Sequence, residues 1–326
     1  MPGSSDPLRR ATFLPVDARA GFLYPLPLRK AARLALTLAA IALALAQTSA
    51  AAGVPRFSHV LVIVIENKEF PQVVGNPAMP NFNRWAGQYA LLTRYHGVTH
   101  PSLPNYLALI GGDFFGIQDD CTDCRVDGPS LPELLEASGR TWKAYLEGLP
   151  KPGFIGASSG RYRKKHNPFV YFNRLLKDAA GLKRNIVPLD ALKADLEQGR
   201  LPDFAFIMPD MCSSSHDCSL DVTDAWLGKT VGAILGSPAF DASTLLVLTF
   251  DEGTTNLGCC GSPATAGGGR IATVLVSPLV TPGYQDPTPY SHYSLLKTIL
   301  AAWDLQLIGH TADPAVSLIL EPWQRR

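Results

Sequence analysis

Val60-Leu61-Val62-Ile63-Val64-Ile65-Glu66-Asn67 is an unbroken apolar run, rich in β-branched residues, that ends on a carboxylate and an amide. A strand with one wet face alternates polar and apolar residues, whereas apolarity at every position fits a parallel sheet covered on both sides. Three further stretches have the same character: Phe204 to Met208 (FAFIM), Leu245 to Phe250 (LLVLTF) and Ile271 to Val276 (IATVLV). Helical stretches lie between and around them at 79–89, 130–138, 189–198, 223–235 and 294–303, with Asp190 and Ser291 as candidate caps. The pattern predicts an α/β fold, a mostly parallel central sheet flanked by helices on both faces.

Outward from this core, the first 52 residues read differently. Arg29, Lys30 and Arg33 precede the uncharged run Leu34 to Ala46, and Thr48-Ser49-Ala50 follows. That is the layout of a secretory signal peptide at 29–52. Residues 1–28 are read as an N-terminal extension or a mis-called start, and 53–326 as a single catalytic domain. The apolar run is shorter than the roughly 20 residues needed to span a bilayer, so no stable membrane insertion is expected after cleavage. The first 52 residues carry six basic and two acidic side chains, a net of +4, against a formal charge of +1 for the whole chain. The remainder is therefore mildly acidic and offers no basic footprint for nucleic acid. All six cysteines (121, 124, 212, 218, 259 and 260) lie after the leader, which suits an oxidising compartment and a secreted or periplasmic protein. Local bridges Cys121–Cys124 and Cys212–Cys218 are expected, with Cys259 and Cys260 either vicinal or bonded elsewhere. A zinc site at Cys121-Thr122-Asp123-Cys124 lacks a second ligand pair at suitable spacing.

Three of the buried runs deliver a carboxylate as they end: Glu66-Asn67, Pro209-Asp210 and Asp251-Glu252. Parallel strands share a C-terminal edge, where open α/β sheets bind ligands. Carboxylates gathered there repel one another unless a cation sits among them. For any one strand, an acidic residue that merely caps a turn is the simpler reading; for three together it is not. A second constellation is Thr99-His100-Pro101-Ser102-Leu103-Pro104-Asn105-Tyr106. Two prolines hold Ser102 and Asn105 in a rigid turn, and a helix starting there would aim backbone N–H groups at an anion. A nearby metal could lower the Ser102 hydroxyl's pKa in place of a histidine base.

These residues carry a resemblance. Glu66-Asn67 after the first strand, Asp251-Glu252 after a later one and the HPSLPNY segment resemble the phosphoesterase family, which contains acid phosphatases and bacterial phospholipases C, within the alkaline-phosphatase-like superfamily. YRKKHNPFVYF at 162–172, PDMCSSSHDC at 209–218 and YSHYSLLKTI at 290–299 extend it from residue 57 to about 310. The resemblance implies that Glu66, Asn67, Asp251 and Glu252 ligate a divalent metal, one ion or two, of magnesium, calcium, manganese or zinc type. It implies Ser102 as nucleophile and Asn105 as a phosphate contact. His216 and His292 fall to leaving-group protonation, phosphate contact or a second metal, with His166 a weaker candidate for substrate contact. His59, His96 and His310 read as structural and His100 as undecided. Asp210 and Ser214 depart from the residues usual in the family, which unsettles the ligand set near His216. The implied activity is hydrolysis of small phosphate monoesters through a phosphoserine, with an acidic to neutral optimum. A phospholipase C or other phosphodiesterase, and a secreted protein that binds phosphate ligands without turnover, are the alternatives.

Overall fold

The computed structural model describes residues 53–261 and 266–324. The signal peptide read at 29–52 and the extension before it lie outside the described residues. An eight-stranded sheet is built from β1 (Val60–Ile65), β2 (Ala90–His96), β3 (Trp142–Leu146), β4 (Ile186–Pro188), β5 (Phe204–Met208), β6 (Leu245–Phe250), β7 (Arg270–Val276) and β8 (Gln285–Ser291). Their order across the sheet is β8-β2-β7-β6-β1-β5-β3-β4. All neighbours run parallel except β7, which is antiparallel to both β2 and β6.

The central position of β1, β5 and β6 is what their composition requires. Every residue of these three strands is buried, so each needs a strand on both edges and helices on both faces. Those helices are α1 (Pro80–Gln88), α2 (Ser102–Gly111), α3 (Leu131–Ala137), α4 (Asp190–Glu197), α5 (Leu220–Leu235) and α6 (His292–Ala302). They fall into two packing groups, α1 with α5 and α4 with α5 in one, α2 with α6 and α2 with α3 in the other.

The differences from the sequence reading have local causes. Four strands escape it: β2 carries the polar Thr93-Arg94 in its second half, β3 is interrupted by Lys143, β4 is only three residues long, and β8 contains two prolines, which its edge position permits. Helix α5 begins at Leu220, three residues earlier than the apolar periodicity shows, because its first turn carries Asp221 on an exposed face. Asp190 does not cap α4; it is the first helical residue, where its charge still favours the N-terminus. Ser291 is the N-cap of α6 as read; its N–H donates to Ser294 Oγ at 3.2 Å and its Oγ donates to Cys260 O at 2.9 Å. The disulfides are Cys121–Cys124, Cys212–Cys218 and the vicinal Cys259–Cys260. Among the described residues no helix is long and apolar enough to cross a membrane.

Candidate active site

Register brings two strand ends together. β1 and β6 pair in parallel with Val60 opposite Leu245 and Ile65 opposite Phe250. Glu66-Asn67 and Asp251-Glu252 therefore leave the sheet side by side, and the Asp251 N–H still donates to Ile65 O at 2.9 Å. Asn67 adopts left-handed backbone, φ 44°, which asparagine tolerates better than most residues. That turn brings its own N–H to Asp251 Oδ1 at 3.2 Å. Glu66, Asp251 and Glu252 are all buried.

Ser102 reaches these carboxylates from α2, of which it is the first residue. Pro101 precedes it, and Pro104 lies in the first turn, where N–H groups have no intrahelical acceptor to lose. Ser102 Oγ lies 3.1 Å from Glu252 Oε1, 3.3 Å from Glu66 Oε2 and 3.2 Å from Lys165 Nζ. Asn105, one turn along, has a different task from the one the resemblance implies. Its Oδ1 accepts from Val98 N at 2.7 Å and Thr99 N at 3.3 Å, and its Nδ2 donates to Thr99 O at 2.7 Å and Pro101 O at 3.1 Å. With two donors and two lone pairs all engaged, it is a clip for the turn before Ser102 and has nothing left for a phosphate oxygen.

The electrostatics of the cluster are uneven. Burial pushes the Asp251 carboxyl well above its ordinary value, and the negative charges of Glu66 and Glu252 push it the same way. Burial also pushes Glu66 up, but the positive charges of His166 and Lys165 and the Tyr106 hydroxyl outweigh it and hold Glu66 far below the usual carboxylate range. Tyr106 OH donates to Glu66 Oε1, and His166 Nε2 lies 2.9 Å from that oxygen without an aligned hydrogen bond. As the Asn67 amide is oriented, its oxygen faces Glu66 Oε2 at 3.3 Å and both oxygens of Asp251 at 3.1 and 3.3 Å. Turning the amide would satisfy these oxygens with N–H groups; keeping it requires a proton or a cation among them. Glu66, Asn67, Asp251 and Glu252 thus form an all-oxygen donor set of the kind hard divalent ions take. Among the described residues the only tight trio of acidic, imidazole or sulfur ligands is Asp119 with Cys121 and Cys124, and there both sulfurs are spent in a disulfide. At the strand ends the three carboxylates are set wider and are bridged by Ser102 and Asn67.

The third carboxylate of the sequence reading does not join. Asp210 Oδ1 accepts from Cys212 N at 2.8 Å and Ser213 N at 2.9 Å, so it caps the turn after β5. That loop is tied to the site through its backbone instead: Ser214 O accepts from Glu66 N at 2.9 Å and Ser215 Oγ donates to Glu66 O at 2.7 Å. His216 lies just beyond, exposed, its Nδ1 2.8 Å from Asp217 Oδ1. His292 is buried, with Nε2 2.5 Å from the Asp251 carbonyl and Nδ1 3.3 Å from Tyr95 OH. Burial pushes its imidazole down to about 4, which suits a neutral brace under Asp251 better than a proton donor.

A model of the phosphoesterase family matches residues 76–306. The chain belongs to the phosphoesterase family. It is 32% identical over 265 residues to an acid phosphatase of Aspergillus fumigatus, covering 78% of this chain and 56% of that one. It is 31% identical over 273 residues to a probable acid phosphatase of Kluyveromyces lactis, covering 80% and 62%. The chain thus spans about three-fifths of the length of these two relatives. A phosphatidylinositol-3-phosphatase of Mycobacterium tuberculosis is 33% identical over 267 residues, covering 81% and 83%. Among solved structures, an alkaline phosphatase superfamily protein from Vibrio parahaemolyticus superposes with a TM-score of 0.56 at 11% identity, covering 83% of this chain and 71% of that one. A lipoteichoic acid synthase from Listeria monocytogenes gives 0.56 at 10%, covering 83% and 77%. At such identities these two speak for the fold alone.

Within this family site, the residues that sequence reasoning passed over come from loops. Lys165 touches Ser102 Oγ, and Asp120 Oδ2 lies 3.1 Å from Lys165 Nζ. His100, left undecided, has Nδ1 against Glu252 Oε2 and Nε2 2.9 Å from Thr255 O. Both ring nitrogens face acceptors, an arrangement that favours the doubly protonated ring, and the bond to Glu252 raises its pKa. Glu69 Oε1 in turn accepts from Thr254 N, Thr255 N and Thr255 Oγ1 at 3.0, 2.8 and 2.7 Å, fixing the loop that follows Glu252. The one available signal was adjacency: Lys165 precedes His166, and Glu69 follows Glu66 by three residues.

Proposed function

We propose that this chain is a metal-dependent phosphoesterase that hydrolyses phosphate monoesters through a phosphoserine at Ser102. The observation that carries the reading is the placement of one buried hydroxyl, Ser102 Oγ, between two strand-end carboxylates at 3.1 and 3.3 Å and an ammonium at 3.2 Å. The acid phosphatases among its relatives support the monoester.

A divalent cation held by Glu66, Asn67, Asp251 and Glu252 would supply positive charge that lowers the hydroxyl's pKa and draws electron density from the phosphoryl oxygens. Ser102 Oγ then forms its bond to phosphorus as the ester P–O bond opposite breaks. The Ser102 proton passes to Glu252 Oε1, its nearest acceptor. The departing alkoxide takes a proton from His100, which stands charged and one-third exposed beside Glu252. In the second half a water oxygen bonds to phosphorus, the P–Oγ bond breaks, one water proton restores Ser102 and the other stays on the phosphate, and the proton that Glu252 took passes to His100 Nδ1 beside it. Water and ester are consumed; alcohol and inorganic phosphate are released. His292 and Asn105 act from beneath, the first bracing the Asp251 backbone and the second the turn into Ser102. The leader at 29–52 and the pairing of all six cysteines support export to an oxidising compartment.

The test is Ser102→Ala in the mature protein, assayed on p-nitrophenyl phosphate with and without chelator. A loss of at least about 10⁴-fold with an unchanged melting temperature is expected. Acid quenching of the wild type should trap phosphate on the peptide containing Ser102. Full turnover by Ser102→Ala would overturn the reading, and preference for a diester over the monoester would redirect it to phosphodiesterase chemistry.

A further inference from the structure

Three groups touch Ser102 Oγ, and they are not equivalent. Glu66 and Glu252 are buried carboxylates at the sheet edge; Lys165 is the cation. Of the three, only Lys165 brings a positive charge of its own to an incoming phosphoryl anion. Ser102 is 1% exposed, whereas the Lys165 side chain is 13% and its partner Asp120 33% exposed. Lys165 is thus the positively charged contact of Ser102 Oγ that also reaches solvent.

Lys165 is also held in place from both sides. Its neighbour Lys164 donates to Thr122 O at 2.6 Å, and its other neighbour His166 is buried beside Glu66. Asp120 divides its carboxylate, Oδ2 taking the Lys165 ammonium at 3.1 Å and Oδ1 the Leu103 N–H at 2.9 Å. One side chain thus ties the ammonium to the first turn of the helix that presents Ser102.

We propose that Lys165 is a catalytic residue whose ammonium rests on Ser102 Oγ in the free protein and takes a non-bridging phosphoryl oxygen of the bound ester, with Asp120 as the residue that positions it. The proposal rests on the reading of Ser102 as nucleophile, and its consequence is charge selection. A phosphate monoester carries close to two negative charges at neutral pH and a diester one. Coulomb attraction to a fixed cation scales with that charge, so Lys165 favours the monoester.

Turnover of p-nitrophenyl phosphate and of methyl p-nitrophenyl phosphate, with calorimetric binding of inorganic phosphate, tests this in Lys165→Met, Lys165→Arg and Asp120→Asn. Lys165→Met should lose about 10²-fold or more in kcat/KM on the monoester, as when one charge-stabilising donor is removed, and several-fold less on the diester. Phosphate affinity should fall with it, and Lys165→Arg should recover part of both. Asp120→Asn should show the same monoester bias at about one-tenth the size, and the double variant should be no worse than Lys165→Met alone. If Lys165→Met fails to fold, Asp120→Asn carries the test, since it leaves the lysine in place. Equal losses on both substrates, unchanged phosphate binding, or a double variant with multiplied losses would overturn the proposal. If Ser102→Ala is inactive and Lys165→Met matches the wild type, this inference alone fails; if Ser102→Ala is active, the reading beneath it fails.

Discussion

Ser102 Oγ sits between two halves of unlike construction. One half is sheet: Glu66 and Glu252 follow adjacent parallel strands in fixed register, with their backbones tied by Asp251 N to Ile65 O. The other half is loop: Lys165 from a short 3-10 turn, Asp120 from the position just before the Cys121–Cys124 bridge, and His100 from the turn before α2. The sheet half is buried and negative, built to be rigid. The loop half is partly exposed and brings the Lys165 ammonium to the hydroxyl. The difference teaches that the proposed nucleophile is held by the core, while the charge proposed to receive the anion is delivered by elements able to vary without disturbing it.

The largest effect should come from breaking the sheet half. Asp251→Asn removes a proposed metal ligand and should cost several kcal/mol of transition-state stabilisation, about 10³-fold or more in kcat, while binding of manganese or magnesium measured by calorimetry disappears. The same half carries a pH signature. Asp251 is pushed up by burial, so the metal-free folded protein holds a proton that the unfolded chain releases. Stability of the chelated protein should therefore fall as pH rises from about 4, the ordinary aspartate range, through the raised Asp251 value. Saturating metal should abolish that slope and add about 2.7 kcal/mol at a hundred times Kd. Superimposable melting profiles with and without metal would sink the metal assignment.

A smaller effect belongs to His100, on the loop side. Its raised pKa means that it is charged below that value and loses its proton as pH rises through it. Turnover should accordingly decline on the alkaline side, and His100→Gln should flatten that limb and lower kcat by about 10²-fold. An alkaline limb unchanged in His100→Gln would move the proton donor elsewhere. Smallest is the paired change Cys121→Ser with Cys124→Ser. Opening so short a loop should cost about 2 kcal/mol of stability by the chain-entropy relation. The accompanying loss of activity should be a few-fold, confined to kcat/KM on the monoester, since only Asp120 and its lysine are loosened. An equal loss on the diester would show that the loop supports the whole site and would blur the division between the halves.

How much was legible follows the same division. VLVIVI, FAFIM and LLVLTF announce buried parallel strands, and their terminal residues Glu66, Asn67, Asp251 and Glu252 could be set on one edge because parallel strands end together. Asp210 shows the limit: it too follows a buried strand, yet the backbone of Cys212 and Ser213 captures it, a local competition that spacing does not express. Asn105 and His292 lie in segments that the sequence singles out, but whether a side chain faces a ligand or its own backbone depends on a rotation that sequence leaves open. Lys165 and Asp120 sit 45 residues apart in loops without periodicity, so nothing in the order of residues joined them.

The sequence by itself determined the layered α/β core, the edge on which the strand-end carboxylates gather and the family, because burial on two faces leaves a period-free apolar signature and each strand end is a fixed point. Only the tertiary structure decided which polar groups are free to act. Hydrogen-bond capacity is finite, and whether the backbone or a ligand fills it is settled by the neighbours that the fold brings within about 3 Å.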